Sequence, residues 1–121
     1  MPARSYQELK VWQSGVSLAK QCYFATKKFP PEELFGMTNQ IRRAAGSIPA
    51  NIAEGQGRRH RKAFLNHLSI ARGSLNELET HLILSEQVGL MDSTTLEPLM
   101  RTADEIGRML NGLCRSLKEG G

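Results

Sequence analysis

Residues 40–62 have the sequence QIRRAAGSIPANIAEGQGRRHRK, which places a proline in the middle of a run of helix-forming residues. Apolar side chains at helical spacing predict a helix over about residues 36–55. Because Pro49 removes a backbone hydrogen bond inside this helix, a kink that costs about 3 kcal/mol is expected. Small neighbours allow other helices to pack closely there. Three nearby polar side chains could satisfy freed backbone groups or form a ligand site, namely Ser47, Asn51 and Glu54.

The same spacing predicts three more helices, over about residues 6–29, 60–88 and 95–118 of the 121-residue chain. No segment shows the alternation of a strand. Because the connections between the helices are short, neighbouring helices are expected to run antiparallel. The sequence therefore predicts an all-α protein, an antiparallel up-down four-helix bundle that forms a single domain over residues 1–121.

Helix 1 carries two apolar stripes on opposite sides. The first stripe is assigned to the core of the bundle and comprises Leu9, Trp12, Val16, Ala19, Tyr23 and Thr26. The second stripe comprises Val11, Gly15, Leu18, Cys22, Ala25 and Phe29. The simpler interpretation is a helix buried on most sides. The alternative, in which the first five residues of the second stripe form a subunit interface, predicts a homo-oligomer.

Positive charge is concentrated at the end of the quoted stretch, in Arg58, Arg59, Arg61 and Lys62. These residues lie at the start of helix 3, where the helix dipole makes each cation unfavourable by roughly 0.3–1 kcal/mol. A bound anion such as nucleic-acid phosphate would account for them, and a solvated basic turn is the alternative. Arg42 and Arg43 are auxiliary candidates if they reach the same surface. Residues 1–62 carry 11 Lys/Arg against 4 Asp/Glu, a net charge of +7.

The sequence predicts no catalytic residues, no metal ligands and no cofactor. It has no Gly-rich phosphate loop after a strand, and its three histidines are too far apart along one helix to share a zinc ion. Trp12, Tyr23 and several phenylalanines are expected in the core, which argues against stacking of nucleobases. Two cysteines without a pairing motif, no leader and no membrane-length apolar run predict a cytoplasmic protein that does not associate with membranes.

Three motifs, QIRRAAGSIPANIAEGQGRR, FLNHLSIARGSLNELETHL and YQELKVWQ, resemble the 23S rRNA intervening-sequence protein family over nearly the whole chain. The resemblance implies a four-helix bundle that assembles as a homopentameric ring, and it assigns no activity. Relatives tend to carry Ser or Thr at the position of His60 and Glu at that of Ala63. A weaker cap at the start of helix 3 is therefore expected here.

Together these features predict a non-enzymatic oligomer that binds RNA or DNA without sequence specificity through its basic surface. The alternative function is a scaffold for protein–protein interaction. In that case the same surface would dock an acidic protein partner, and nucleic acid would not bind.

Overall fold

The computed structural model describes residues 5–120, which form four α-helices and no strand. The helices are α1 (Lys10–Thr26), α2 (Met37–Gly57), α3 (Arg61–Gln87) and α4 (Ser93–Glu119). Short 3-10 turns at Tyr6–Glu8 and Pro31–Glu33 precede α1 and α2. Both α1 and α3 pack against α2 and α4, so each helix has two neighbours in the bundle. The prediction of an all-α, four-helix fold is confirmed.

The first helix is shorter than the predicted range of residues 6–29. The Ser5 hydroxyl accepts a hydrogen bond from the Gln7 backbone at 3.2 Å, and the Glu8 carboxylate accepts one from the Ser5 backbone at 3.3 Å. This capping box closes a separate 3-10 turn, after which Leu9 is extended with ψ at 125°. The chain therefore enters α1 at Lys10, and α1 ends at Thr26.

The fourth helix begins two residues before the predicted start at residue 95, because Asp92 caps it. The Asp92 carboxylate accepts hydrogen bonds from the Thr95 backbone and the Thr94 hydroxyl, both at 2.8 Å. These bonds, first that of the Thr94 hydroxyl, hold the pKa of Asp92 below its usual value. Pro98 is the sixth residue of α4 and lies inside the helix, where it cannot donate a backbone hydrogen bond to the Thr94 carbonyl.

The buried side of α1 is the second stripe, which reverses the assignment made from the sequence. Leu18 and Cys22 are fully buried in the bundle, whereas Val16 and Tyr23 of the first stripe are 39% and 47% exposed. This burial contradicts the predicted subunit interface on helix 1. Its members lie inside their own bundle or at its edge: Val11, Gly15, Leu18, Cys22 and Ala25.

The second stripe of α1 faces α2 at Gly15. Both stripes repeat at the same spacing, but Gly15 lies directly against α2, where a Cβ atom would be 3.5 Å from Cβ and Cδ of Pro49 and 3.6 Å from Cγ2 of Ile48. Pro49 is buried inside the uninterrupted helix α2. Pro49 therefore packs against α1, the helix that precedes α2 in the chain.

The reversed orientation of α1 makes a direct prediction about stability. Leu18→Ala should lower the free energy of unfolding by about 3 kcal/mol, because it leaves a cavity in the core. The matched change Val16→Ala on the exposed stripe should alter it by less than about 0.5 kcal/mol. Urea denaturation followed by circular dichroism measures both. Equal losses in the two variants would show that α1 is buried on both sides.

Candidate nucleic-acid interface

Helices α2 and α3 are joined by a tight basic turn, residues 58–62. Arg58 continues the helical backbone beyond Gly57, and the next residue, Arg59, has a left-handed backbone with φ at 56°. This conformation is uncommon for any residue other than glycine, which usually occupies the same position after a helix. His60 is the N-cap of α3, and its side chain makes no capping hydrogen bond. The weaker cap expected from the sequence is therefore present.

The cations of the basic turn differ in their partners. Arg58 donates a hydrogen bond to the Glu54 carboxylate at 3.0 Å, one helical turn earlier. This bond, followed by the charge of His67, holds the pKa of Glu54 below its usual value. Arg59, Arg61 and Lys62 are exposed and form no ion pair with any residue that the structure describes. Their charges are therefore available to an external anion.

The two auxiliary candidates are not part of this surface. Arg42 lies 16 residues before Arg58 on the same helix, which corresponds to about 24 Å along the axis. Its guanidinium donates to the Thr26 hydroxyl at 2.9 Å and lies 4.5 Å from the centre of the Tyr23 ring. Arg42 therefore ties α2 to α1. Arg43 is exposed beside it, at the same distant end of α2.

The polar cluster around Pro49 joins α2 to α3. The Asn51 amide donates to the Ser47 hydroxyl at 3.0 Å and accepts from Nδ1 of His67 at 3.1 Å. The Ser47 and Ser74 hydroxyls are 2.8 Å apart, and Glu54 lies 3.7 Å from Nε2 of His67. These polar groups bond to one another across the helix interface, as a packing role requires. His67 and Ser74 are seven residues apart and so share one face of α3, a spacing visible in the sequence.

Several aromatic side chains lie outside the core, contrary to expectation. Phe35 is 90% exposed, Phe24 54% and Tyr23 47%. Tyr23, Leu34 and Phe35 form a surface that we call the aromatic patch; they line a cavity of about 350 Å³ together with Arg42 and Arg43. Its members carried no distinguishing signal in the sequence, because Leu34 and Phe35 lie in the short connection before α2 and Tyr23 matched the core spacing.

Side chains that could bind a metal ion are not clustered within residues 5–120. Burial raises the pKa of the Cys22 thiol to about 12, so the thiol stays protonated at neutral pH. Within residues 5–120, no three His, Cys, Asp or Glu side chains are placed to hold a metal ion. No helix in that range is both long and apolar enough to cross a bilayer.

The sequence model of the family described as 23S rRNA-intervening sequence protein matches residues 7–112. The chain belongs to this family. A similar solved structure is a protein of unknown function from the S23 ribosomal protein family of Bacteroides thetaiotaomicron VPI-5482. The two sequences are 27% identical, the match covers 86% of this chain and 97% of the other, and the TM-score is 0.77. No curated protein matches the chain.

Membership of the 23S rRNA-intervening sequence protein family confirms the resemblance found in the motifs. In the structure, the SIPANIAEG motif carries Pro49 against α1 and Asn51 against α3. The motif thus supports packing on both sides of α2, and the basic turn follows directly after it.

The left-handed backbone of Arg59 in the basic turn makes a prediction about stability. Arg59→Gly should raise the free energy of unfolding by up to about 1 kcal/mol, since glycine adopts this backbone without the Cβ clash. Lys62→Gly, which removes the same charge from a helical position, should lower it by about 0.5–1 kcal/mol. Urea denaturation of both variants measures the difference. A clear loss of stability in Arg59→Gly would mean that the arginine side chain itself holds the turn.

Proposed function

We propose that this protein is a non-enzymatic homo-oligomer that binds RNA or DNA without sequence specificity through its basic turn. The main contacts are Arg59, Arg61 and Lys62, with Arg58 contributing less because Glu54 already pairs with it. The observation that carries the proposal is the group of exposed cations without an ionic partner at the start of α3. Backbone amides at a helix N-terminus and arginine side chains both suit phosphate oxygens.

Several further features belong to the same proposal. The helices run antiparallel, which is supported by the contacts of Arg42 with Tyr23 and of Gly15 with Pro49. The subunits form a pentameric ring in which weak phosphate contacts are repeated. A cytoplasmic location is supported by Cys22 and Cys114, both free thiols.

The aromatic patch is the surface that we assign to subunit contact, since the second stripe of α1 is buried. Phe35 is 90% exposed, and contiguous exposed apolar surface is typical of interaction sites in a way that a single exposed side chain is not. Tyr23 and Leu34 extend the apolar surface beside it. Association would remove this surface from water.

Binding to a fluorescent single-stranded RNA across a salt series tests the nucleic-acid proposal. With three cations engaged, the logarithm of the association constant should fall with the logarithm of salt concentration with a slope near −2 for each bound subunit. Replacing Arg59, Arg61 and Lys62 with glutamine should remove most of that slope. Unrelated RNA and DNA sequences should bind with affinities within about threefold of one another.

The matched control removes three exposed cations elsewhere, with Lys20, Lys28 and Arg101 changed to glutamine. It should retain most of the affinity at low salt. If both triple variants lose affinity equally, the net charge of the protein and not the basic turn is responsible. An absence of binding at low salt in the unmodified protein would favour the alternative function, a scaffold that docks an acidic protein.

The aromatic patch makes a separate prediction about assembly. Phe35→Ser should shift the mass measured by light scattering toward smaller species, because burying a phenylalanine contributes about 1.5–3 kcal/mol to each contact. Val88→Ser, at a residue that is 62% exposed at the end of α3, is the control and should leave the mass unchanged. An unmodified protein that is monomeric at micromolar concentration would contradict the ring.

A further inference from the structure

A groove of about 850 Å³ opens between the start of α3 and the end of α4. On α3 it extends from His60 to Arg72, which corresponds to about 18 Å of helix axis. Leu68 and Leu110, both buried core residues, form its floor together with the half-buried Leu65. The apolar interior of the bundle therefore continues to the surface here.

The rim of this α3–α4 groove carries charge of one sign. The cations Lys62, Arg72 and Lys118 line it, and no carboxylate among the described residues does. An apolar floor with a cationic rim complements a ligand that is apolar on one side and negatively charged at its edges.

Arg72 is the most specific of these cations. It is half-buried and lies across α4 at Gly107, where a Cβ atom would be 2.5 Å from its Nη1 atom. Its guanidinium forms no hydrogen bond or ion pair with any residue from 5 to 120. Asp104, which lines a smaller cavity with Arg72, pairs instead with Arg108 at 3.2 Å. A partly desolvated guanidinium without an acceptor is suited to a bidentate carboxylate from another molecule.

We propose that the α3–α4 groove docks an amphipathic helix of a partner protein, with leucine-like side chains on the floor and carboxylates at Arg72, Lys62 and Lys118. The length of the groove matches about 12 residues of helix. Nucleic acid fits this groove less well, because no Phe, Tyr or Trp among the described residues lines it for base stacking. The proposal goes beyond nucleic-acid binding and does not depend on it.

The probe is a fluorescein-labelled synthetic peptide of about 14 residues, with leucines at helical 3-4 spacing and glutamates on either side. A second peptide has lysine at each glutamate position, and a third is a scramble of the first. In fluorescence anisotropy, the acidic peptide should bind at least about tenfold more tightly than either control peptide. Equal binding of the acidic and scrambled peptides, or no binding of the acidic peptide, would overturn the proposal.

Two variants locate the binding in the groove. Arg72→Gln should weaken peptide binding at least about tenfold, whereas Arg101→Gln, which removes an exposed charge elsewhere on α4, should change it less than about twofold. Ser69→Trp places a large side chain at the groove wall and should weaken the peptide similarly, which tests the groove even if Arg72→Gln folds poorly. Unchanged peptide affinity in Ser69→Trp would overturn the assignment.

Parallel measurements with RNA and of mass separate this proposal from the other functions. Arg72→Gln and Ser69→Trp should leave RNA affinity within about twofold, while a double variant with Arg59 and Arg61 changed to glutamine, which keeps Lys62, should lose most of its RNA affinity and keep most of its peptide affinity. Loss of RNA binding without loss of peptide binding in Ser69→Trp would make the groove a nucleic-acid site and overturn the proposal. A fall in oligomer mass in Ser69→Trp would do the same by assigning the groove to another copy of the chain.

Discussion

The close approach of α2 to both of its neighbours is the constraint on which the rest of the structure depends. On one side Gly15 of α1 meets Pro49, and on the other side a Cβ atom at Gly55 would be 2.7 Å from Cβ of His67. At Gly55 a methyl group would force the helices apart, since Cβ of His67 belongs to the helix framework and not to the end of a flexible side chain, whereas a Cβ atom at Gly15 would make ordinary van der Waals contact with Pro49 at 3.5 Å. The position of α2 in turn fixes where the basic turn emerges and which face α1 buries.

The helices themselves were predictable because apolar spacing and proline positions are local properties. The face that each helix buries is predictable only where one apolar stripe is present, as in α4, whose buried residues Leu99, Ala103, Ile106 and Leu110 recur at a single 3-4 spacing. In α1 two stripes share the same period, and the buried one is distinguished by contacts with other helices, such as that of Gly15 with Pro49, 34 positions later in the chain. Spacing within one helix carries no information about such a contact. The 3-10 turn at Tyr6–Glu8 could not be told from helix for a related reason. Tyr6 and Leu9 are three residues apart, and this spacing is also compatible with a continuous helix.

Candidate site residues were predicted by type, and the structure sorted them by partner. The sequence grouped six cations, but Arg42 is held by Tyr23 and Thr26 and Arg58 by Glu54. An arginine that already has an acceptor offers less to a phosphate than one without, because binding must first compensate for the lost interaction. Arg43 lies beside Arg42 at the far end of α2, so only Arg59, Arg61 and Lys62 remain in the basic turn, fewer than the composition indicated and closer together. Arg72 was overlooked because its surroundings are set by α4 and not by its sequence neighbours.

Three unfavourable local features meet in the basic turn. Arg59 occupies a backbone region that favours glycine, His60 leaves the start of α3 without a side-chain cap, and the next two residues place cations at the positive end of the helix dipole. A glycine, a serine and a glutamate would each improve the stability of this turn at little cost elsewhere. Sequence choices that oppose local stability in several ways at one place are characteristic of surfaces retained for binding. Since each of the three also leaves the turn more positive or its amides more available, they favour the same kind of ligand, an anion.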